Sequence, residues 1–124
     1  MVDMEYLCRN ILDTFTKPGS SDLDINLQIG EMFNYIKDKL NIDELYYRID
    51  IAVKENISYN AEVTVETKNK TILQIIFEPG IEGTLKVDGY IHHGVEGSDF
   101  THYINSPTEV GYCIYAIMFV IEEL

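Results

Sequence analysis

The sequence predicts an α+β fold: two N-terminal helices, an antiparallel β-meander of four to five strands, and a C-terminal helix packed on the sheet. Three observations carry this prediction. Apolar residues recur with a helical period near the N-terminus, they alternate with polar residues through the middle, and a capping pattern introduces an apolar C-terminal segment. A chain of 124 residues has the length of one domain, here residues 1–124.

The N-terminal third predicts two helices. Residues 2–15 carry one apolar stripe at helical spacing, formed by Met4, Leu7, Cys8, Ile11, Leu12 and Phe15. Residues 22–40 are ambiguous, because apolar residues alternate as in a strand up to Ile29 but also follow a helical stripe to Leu40. We favour one helix from Asp22 to Leu40, since the helical stripe continues past Gly30. The alternative is a strand to Ile29 followed by a shorter helix.

The middle of the chain predicts the strands. Apolar and polar residues alternate over Tyr47–Val53 and Tyr59–Thr67, whereas Thr71–Phe77 is apolar on both sides. Thr84–His92 and a shorter segment, Phe100–Asn105, complete the meander.

Two segments between these strands predict turns. Lys68-Asn69-Lys70 is predicted as a hairpin turn. The loop from Glu78 to Gly83 contains glycines, but its two carboxylates flank the amides that would cradle a phosphate, and a strand follows it. It is therefore predicted as a turn and not as a phosphate site.

The last segment predicts a well-capped helix. Ser106-Pro107-Thr108-Glu109 has the capping-box pattern, and the helix it starts is apolar nearly all round from Val110 to Ile121. Twelve residues are too few to cross a ~30 Å hydrocarbon core, so no membrane association is expected. A helix apolar on several sides must be covered on several sides, which predicts a homodimer or larger homo-oligomer.

The charge balance limits the function. Twenty-one acidic and nine basic residues give a net charge of −12, while 46% of the residues are hydrophobic. An acidic surface on a folded domain repels nucleic acid and attracts basic proteins. Acids where a secretory signal would be basic, and only two cysteines, predict a cytoplasmic protein with reduced, buried thiols. The abundance of residues with AT-rich codons hints at a bacterial or phage source.

The polar face of the predicted sheet is the candidate recognition surface. Asp50, Glu62 and Glu66 are expected to share a face with Ile72 and Ile76, and acids around an apolar centre are typical of a protein-binding patch. The alternative is a solvated face on which a helix covers the two isoleucines.

Two registers between the first two strands are possible. One sets Asp50 opposite Glu62, and the other sets Asp50 opposite Thr64 with Arg48 opposite Glu66. We favour the second, since like charges directly opposite each other destabilise a sheet.

One cluster has the chemistry of a metal or catalytic site. It contains His92, His93, Glu96, Asp99 and His102. The best ligand triad is His93, Asp99 and His102, but the spacing matches no known ligand pattern, so no metal or other cofactor is predicted. A solvated polar loop is favoured, and a pH-sensitive contact is the remaining alternative.

Together these features favour a small acidic, non-catalytic binding protein that neutralises or escorts a basic protein partner. A toxin-immunity protein, a phage-encoded anti-defence inhibitor and a secretion chaperone are examples of the class. One alternative is a small-ligand-binding protein or metal-dependent hydrolase that uses the cluster from His92 to His102. Another is a structural subunit of a larger assembly.

Overall fold

The computed structural model describes residues 3–17, 20–43, 45–54, 58–67, 70–81, 83–92 and 99–123. The fold is α+β, as predicted. In chain order its elements are α1 (Met4–Thr16), α2 (Asp22–Leu40), β1 (Tyr46–Lys54), β2 (Ser58–Glu66), β3 (Ile72–Pro79), β4 (Leu85–His92), β5 (Asp99–Ile104) and α3 (Pro107–Glu123).

The five strands form one antiparallel meander. Their order in the sheet is β1-β2-β3-β4-β5, so each strand pairs with its neighbour in the chain and β1 and β5 are the edges. The turn between β3 and β4 is described in part: Gly80 donates a backbone hydrogen bond to Thr84 over 2.7 Å. In the predicted hairpin turn at Lys68-Asn69-Lys70, the first two residues lie outside the described part of the chain.

The two N-terminal helices form where their apolar stripes predict them. The segment from Asp22 to Leu40 is helical throughout, so the strand alternative is wrong. The N-terminus of this segment explains why it forms a helix, because Ser21 and Asp24 form a reciprocal capping box there. The cap supplies partners for amides that the first turn of a helix leaves unpaired, and it favours helix over strand at the ambiguous residues.

All three helices pack against one face of the sheet. On β3 the residues Leu73, Ile75 and Phe77 are buried, while the intervening residues are only half-buried. Phe15 of α1 stacks on Phe77 with ring centroids 5.5 Å apart, and α2 contributes Phe33, which stacks on Tyr47 of β1 at 4.4 Å. The core is therefore the layer between the helices and this face of the sheet.

The helix-packed face needs a glycine at one point. Gly89 on β4 pairs with Phe100 on β5, and a Cβ added at Gly89 would overlap the Phe100 ring. The ring therefore occupies the space that a side chain at residue 89 would fill, which ties the edge strand β5 to the core.

The C-terminal helix is capped as its sequence predicts. The Glu109 amide donates to Ser106 Oγ over 3.4 Å, and the Glu109 carboxylate accepts from the Asn105 amide and the Ser106 hydroxyl at 3.3 and 3.1 Å. These contacts satisfy amides at the start of α3.

Most of the apolar surface of α3 is covered within the chain. Residues buried on this helix are Val110, Gly111, Cys113, Ile114, Ile117, Val120 and Ile121. The large side chains that stay exposed are Tyr112, Tyr115 and Phe119. Within the described residues, no helix is both long and apolar enough to cross a bilayer.

Candidate functional site

The sheet face opposite the helices carries all five residues predicted to bind a partner. Asp50, Glu62, Glu66, Ile72 and Ile76 occupy alternate positions of β1, β2 and β3 that point away from the core. Neither isoleucine belongs to the described core or packs against it. The alternative in which a helix covers both isoleucines is therefore wrong for the described chain. We call this surface the helix-free face.

Strand pairing gathers part of this set into one line across the sheet. Asp50 is opposite Glu62, Glu62 is opposite Ile76, and Ile76 is opposite Asp88 of β4. We call these four residues the acidic row, in which three carboxylates flank one isoleucine.

The other predicted pair lies further along the same strands. Glu66 is opposite Ile72, four residues along β2 from Glu62. Four residues of strand correspond to about 13 Å. Glu66 is exposed and Ile72 is half-buried, so this pair extends the helix-free face without joining the acidic row.

The register that places Asp50 opposite Glu62 corrects the favoured prediction. Arg48 pairs with Thr64 and not with Glu66. Two contacts reduce the repulsion between the opposed carboxylates: Arg48 Nε lies 3.2 Å from Asp50 Oδ2, and the side-chain amide of Gln74 donates to Glu62 Oε1. In the observed register the paired residues run from Tyr46 opposite Glu66 to Lys54 opposite Ser58.

A single lysine lies among the acids of β3 and β4. The Lys86 ammonium is 3.6 Å from a carboxylate oxygen of both Glu78 and Asp88. Asp88 raises the pKa of Lys86 most, followed by Tyr103 and, further down, Glu78. Asp88 also accepts a hydrogen bond from Thr101 Oγ1 over 2.7 Å, and only 13% of its side chain is exposed. The lysine therefore remains charged and shared between two anions.

The acidic row lies in a shallow depression of the helix-free face. Its volume is about 480 Å³, and its lining includes four carboxylates, those of Asp50, Glu62, Glu78 and Asp88. Among the described residues of the lining, Lys86 is the one basic side chain. Ile76 and Tyr90 also line it. The depression is thus rich in hydrogen-bond acceptors and negatively charged.

One more acceptor lines this depression without a partner. Asn60 Oδ1 is shielded from solvent and has no hydrogen bond in the structure. Buried polar atoms are nearly always paired, because leaving one unpaired costs about 1–3 kcal/mol.

Most of the predicted histidine cluster, including Glu96, lies outside the described part of the chain. His93 lies outside the described residues, as do the side chains of His92 and Asp99. On β5, position 99 pairs with Tyr90 while His102 pairs with the buried Val87, so the two positions belong to opposite faces of the sheet. His102 packs edge-on against Phe100, with ring centroids 5.8 Å apart. Among the described residues, no three His, Cys, Asp or Glu side chains are grouped as a metal site.

A second concave region, which the sequence analysis missed, lies at the C-terminal ends of α2 and α3. It has a volume of about 520 Å³, with Leu40, Ile42 and Ile121 in its apolar lining and Lys39 and Lys70 also lining it. No short motif could have revealed it, because its lining comes from the ends of two helices and two strands. It contains none of the residues predicted to bind a partner except Glu66.

Comparison of the chain with models of protein families, with curated proteins and with solved structures finds no significant match.

Proposed function

We propose that this chain is a small acidic, non-catalytic binding protein that recognises a basic protein partner through its helix-free face. The observation that carries the proposal is the acidic row, in which Asp50, Glu62 and Asp88 flank Ile76 on a surface that no described helix covers. Charged groups around an apolar centre match the rim and core of a protein interface.

The charge of the whole chain supports the same role. A net charge of −12 produces a negative potential that accelerates encounter with a basic partner and disfavours acidic ones. Neutralising or escorting such a partner in the cytoplasm of a bacterium or a phage-infected cell is the biological role we propose. An immunity protein, an anti-defence inhibitor and a secretion chaperone all belong to this class.

The test is capture of basic proteins from the native host by the wild-type chain and by two charge-reversed variants. Glu62→Lys/Glu66→Lys changes the helix-free face. The matched control is Glu5→Lys/Glu123→Lys, whose sites lie on α1 and α3. Each double reversal adds four charges to the net −12, giving −8, so the two variants have the same net charge and carry the change on different surfaces.

We expect the wild type and the α1/α3 variant to retain a basic partner that the helix-free-face variant loses. Raising the salt concentration should slow association more than it accelerates dissociation, because exposed charges are screened beyond ~8 Å at physiological ionic strength. Equal binding by both variants, or binding that is indifferent to salt, would contradict the proposal.

A further inference from the structure

The first strand of the sheet is a long edge. β1 has nine residues, Tyr46–Lys54, and among the described strands it pairs with β2 alone. Its register with β2 skips no residue, so no bulge bends the strand, and its sequence contains no proline. Shortening, bulges and prolines are among the devices that keep edge strands from pairing with other chains. The outward N–H and C=O groups of β1 are therefore arranged to accept a further strand.

The helix layer covers this edge incompletely. Ile49 and Ile51 of β1 pack against the core but are only half-buried. The β2 residues opposite them, Val63 and Ala61, are fully buried. Tyr47, on the same side of β1, is 38% exposed. The cover of the helices thus thins at β1, and a strand added beyond it would remove apolar surface of these residues from water.

The helix-free side of β1 carries one positive and one negative side chain two positions apart. Arg48 and Asp50 are 75% and 60% exposed, and Arg48 Nε lies 3.2 Å from Asp50 Oδ2. When two identical strands pair antiparallel in one sheet, a two-fold axis passes through one residue position, and the strand faces its own sequence reversed about that position. Because like charges directly opposite each other destabilise a sheet, these two residues select the central position.

A two-fold axis at Ile49 sets opposite charges against each other. Arg48 of each copy then faces Asp50 of the other, which gives two attractive pairs on the helix-free side. On the helix side the same register sets Ile49 opposite Ile49 and Tyr47 opposite Ile51, so apolar residues meet apolar residues. Residues 46–52 of each copy are paired.

Other central positions are less favourable. An axis at Arg48 or Asp50 places that residue opposite its own copy, and an axis at Ile51 places Arg48 opposite the lysine at position 54. An axis at Ala52 opposes Asp50 to that lysine but leaves only residues 50–54 of β1 paired. The strand is thus self-complementary in one long register, the one centred on Ile49.

We infer that β1 pairs antiparallel with β1 of a second copy, centred on Ile49, so that two sheets join edge to edge. The contact is separate from the exposed side chains of α3, which belong to the helix layer, and it joins the helix-free faces of two copies into one surface. One strand pair makes a small interface, and small interfaces are weak and transient. Pairing should therefore rise between micromolar and millimolar concentrations of the protein.

The test uses charge reversals on β1. Asp50→Arg and Arg48→Asp each turn both attractive pairs into repulsive ones, so each variant should self-pair about tenfold more weakly than the wild type. The swap Arg48→Asp/Asp50→Arg restores opposite charges at both pairs and should self-pair within about twofold of the wild type. Glu5→Arg adds the same charge as Asp50→Arg, but on α1, and should self-pair as the wild type does.

Self-pairing is measured on the full-length protein by NMR, from the concentration dependence of the backbone amide signals of β1. A contact through α3 is common to all these variants, because none of them changes α3. Differences between the variants at the β1 signals therefore report the strand contact.

A mixture of the two reversed variants gives the most specific result. Isotope-labelled Asp50→Arg protein is titrated with unlabelled Arg48→Asp protein, and in the mixed pair both facing positions again carry opposite charges. The mixture should shift the β1 signals at concentrations at which neither variant alone does so.

Three results would overturn the inference. They are wild-type β1 signals that do not change with concentration, reversed variants that self-pair as the wild type does, and a mixture that pairs no better than either variant alone. No partner protein is present in these measurements, so their result is independent of the test of the proposed function.

Discussion

The two faces of the sheet are built from the same five strands and differ in almost every physical property. On β3, Ile75 is fully buried beneath the helices, whereas its neighbour Ile76 is half-buried on the helix-free face between Glu62 and Asp88. The pleat places successive side chains on opposite faces of the sheet. Ile75 therefore contributes to the stability of the core, and the adjacent Ile76 lies on the face proposed to bind a partner. Substitutions on one face should therefore change the free energy of unfolding, and substitutions on the other should change binding.

The largest effect should come from comparing these two neighbours. Ile75→Ala should lower the free energy of unfolding by about 2–5 kcal/mol, because it leaves a cavity in a packed core. Ile76→Ala should cost less than about 1 kcal/mol, since no described helix packs on that residue. Urea unfolding measures both. Equal losses would show that a segment covers the helix-free face.

Gly89 should be the next most sensitive position. Gly89→Ala should lower stability by about 1–3 kcal/mol, because the added Cβ would overlap the Phe100 ring. The double variant Gly89→Ala/Phe100→Ala gives the control: with the ring removed, the added methyl should cost little. A cost for Gly89→Ala that is the same with and without the ring would contradict the packing described for β5.

Alkaline pH should also lower the free energy of unfolding, because the core contains two buried thiols. Burial raises the pKa of Cys113 from 9.0 to about 12, and burial raises the pKa of Cys8 to about 11. The unfolded chain therefore loses these protons at lower pH than the folded chain. The stabilisation that comes from keeping these thiols protonated is fully present below pH 9 and is lost as the pH rises toward 12.

For Cys113 the loss should be about 2 kcal/mol between pH 8 and about pH 10.5. Urea unfolding of the wild type and of Cys113→Ala at the two pH values measures it. The variant should start less stable and depend less steeply on pH. An equal pH dependence in both would mean that the Cys113 thiol is not buried as described.

The smallest effect on stability should come from the outer surface of the helix layer. Tyr112, Tyr115 and Phe119 are 63%, 55% and 66% exposed on α3, and a homodimer formed through them would leave the helix-free face open for a partner. Light scattering should then give twice the monomer mass of 14.3 kDa. Tyr112→Ser/Phe119→Ser should give the monomer mass with little change in stability, whereas Leu23→Ser, at a residue 77% exposed on α2, should not. A wild-type monomer at micromolar concentration would exclude the dimer.

Periodicity predicted the elements and the faces, because both depend on local spacing. The stripe from Met4 to Phe15 and the alternation on β2 each state which side chains point inward, and the structure confirms them. The alternation also placed Glu62 and Ile76 on one face. The segment that begins at Asp22 could have been a helix or a strand. The Ser21 cap favours the helix, but the alternation of apolar and polar residues after it also fits a strand, so the cap was not recognised in the sequence.

The strand register and the depression on the helix-free face could not be predicted from the sequence, since both depend on contacts between strands. Repulsion between Asp50 and Glu62 argued against the observed register, and its relief by Arg48 and Gln74 becomes visible only when three strands are placed together. Asp88 was not among the predicted binding residues for the same reason. Alternation along Thr84–His92 points this residue outward, but only the β3–β4 pairing brings it beside Ile76.

The most direct test of the recognition face is an NMR measurement on the complex with the basic protein that the wild-type chain captures. With isoleucine and leucine methyl groups labelled in this chain and the partner left protonated, contacts between the two molecules appear as intermolecular NOEs. The account predicts NOEs to the Ile76 and Ile72 methyls and none to Leu23 or Leu27, which are exposed on α2. NOEs confined to α2, with none to Ile76, would contradict it.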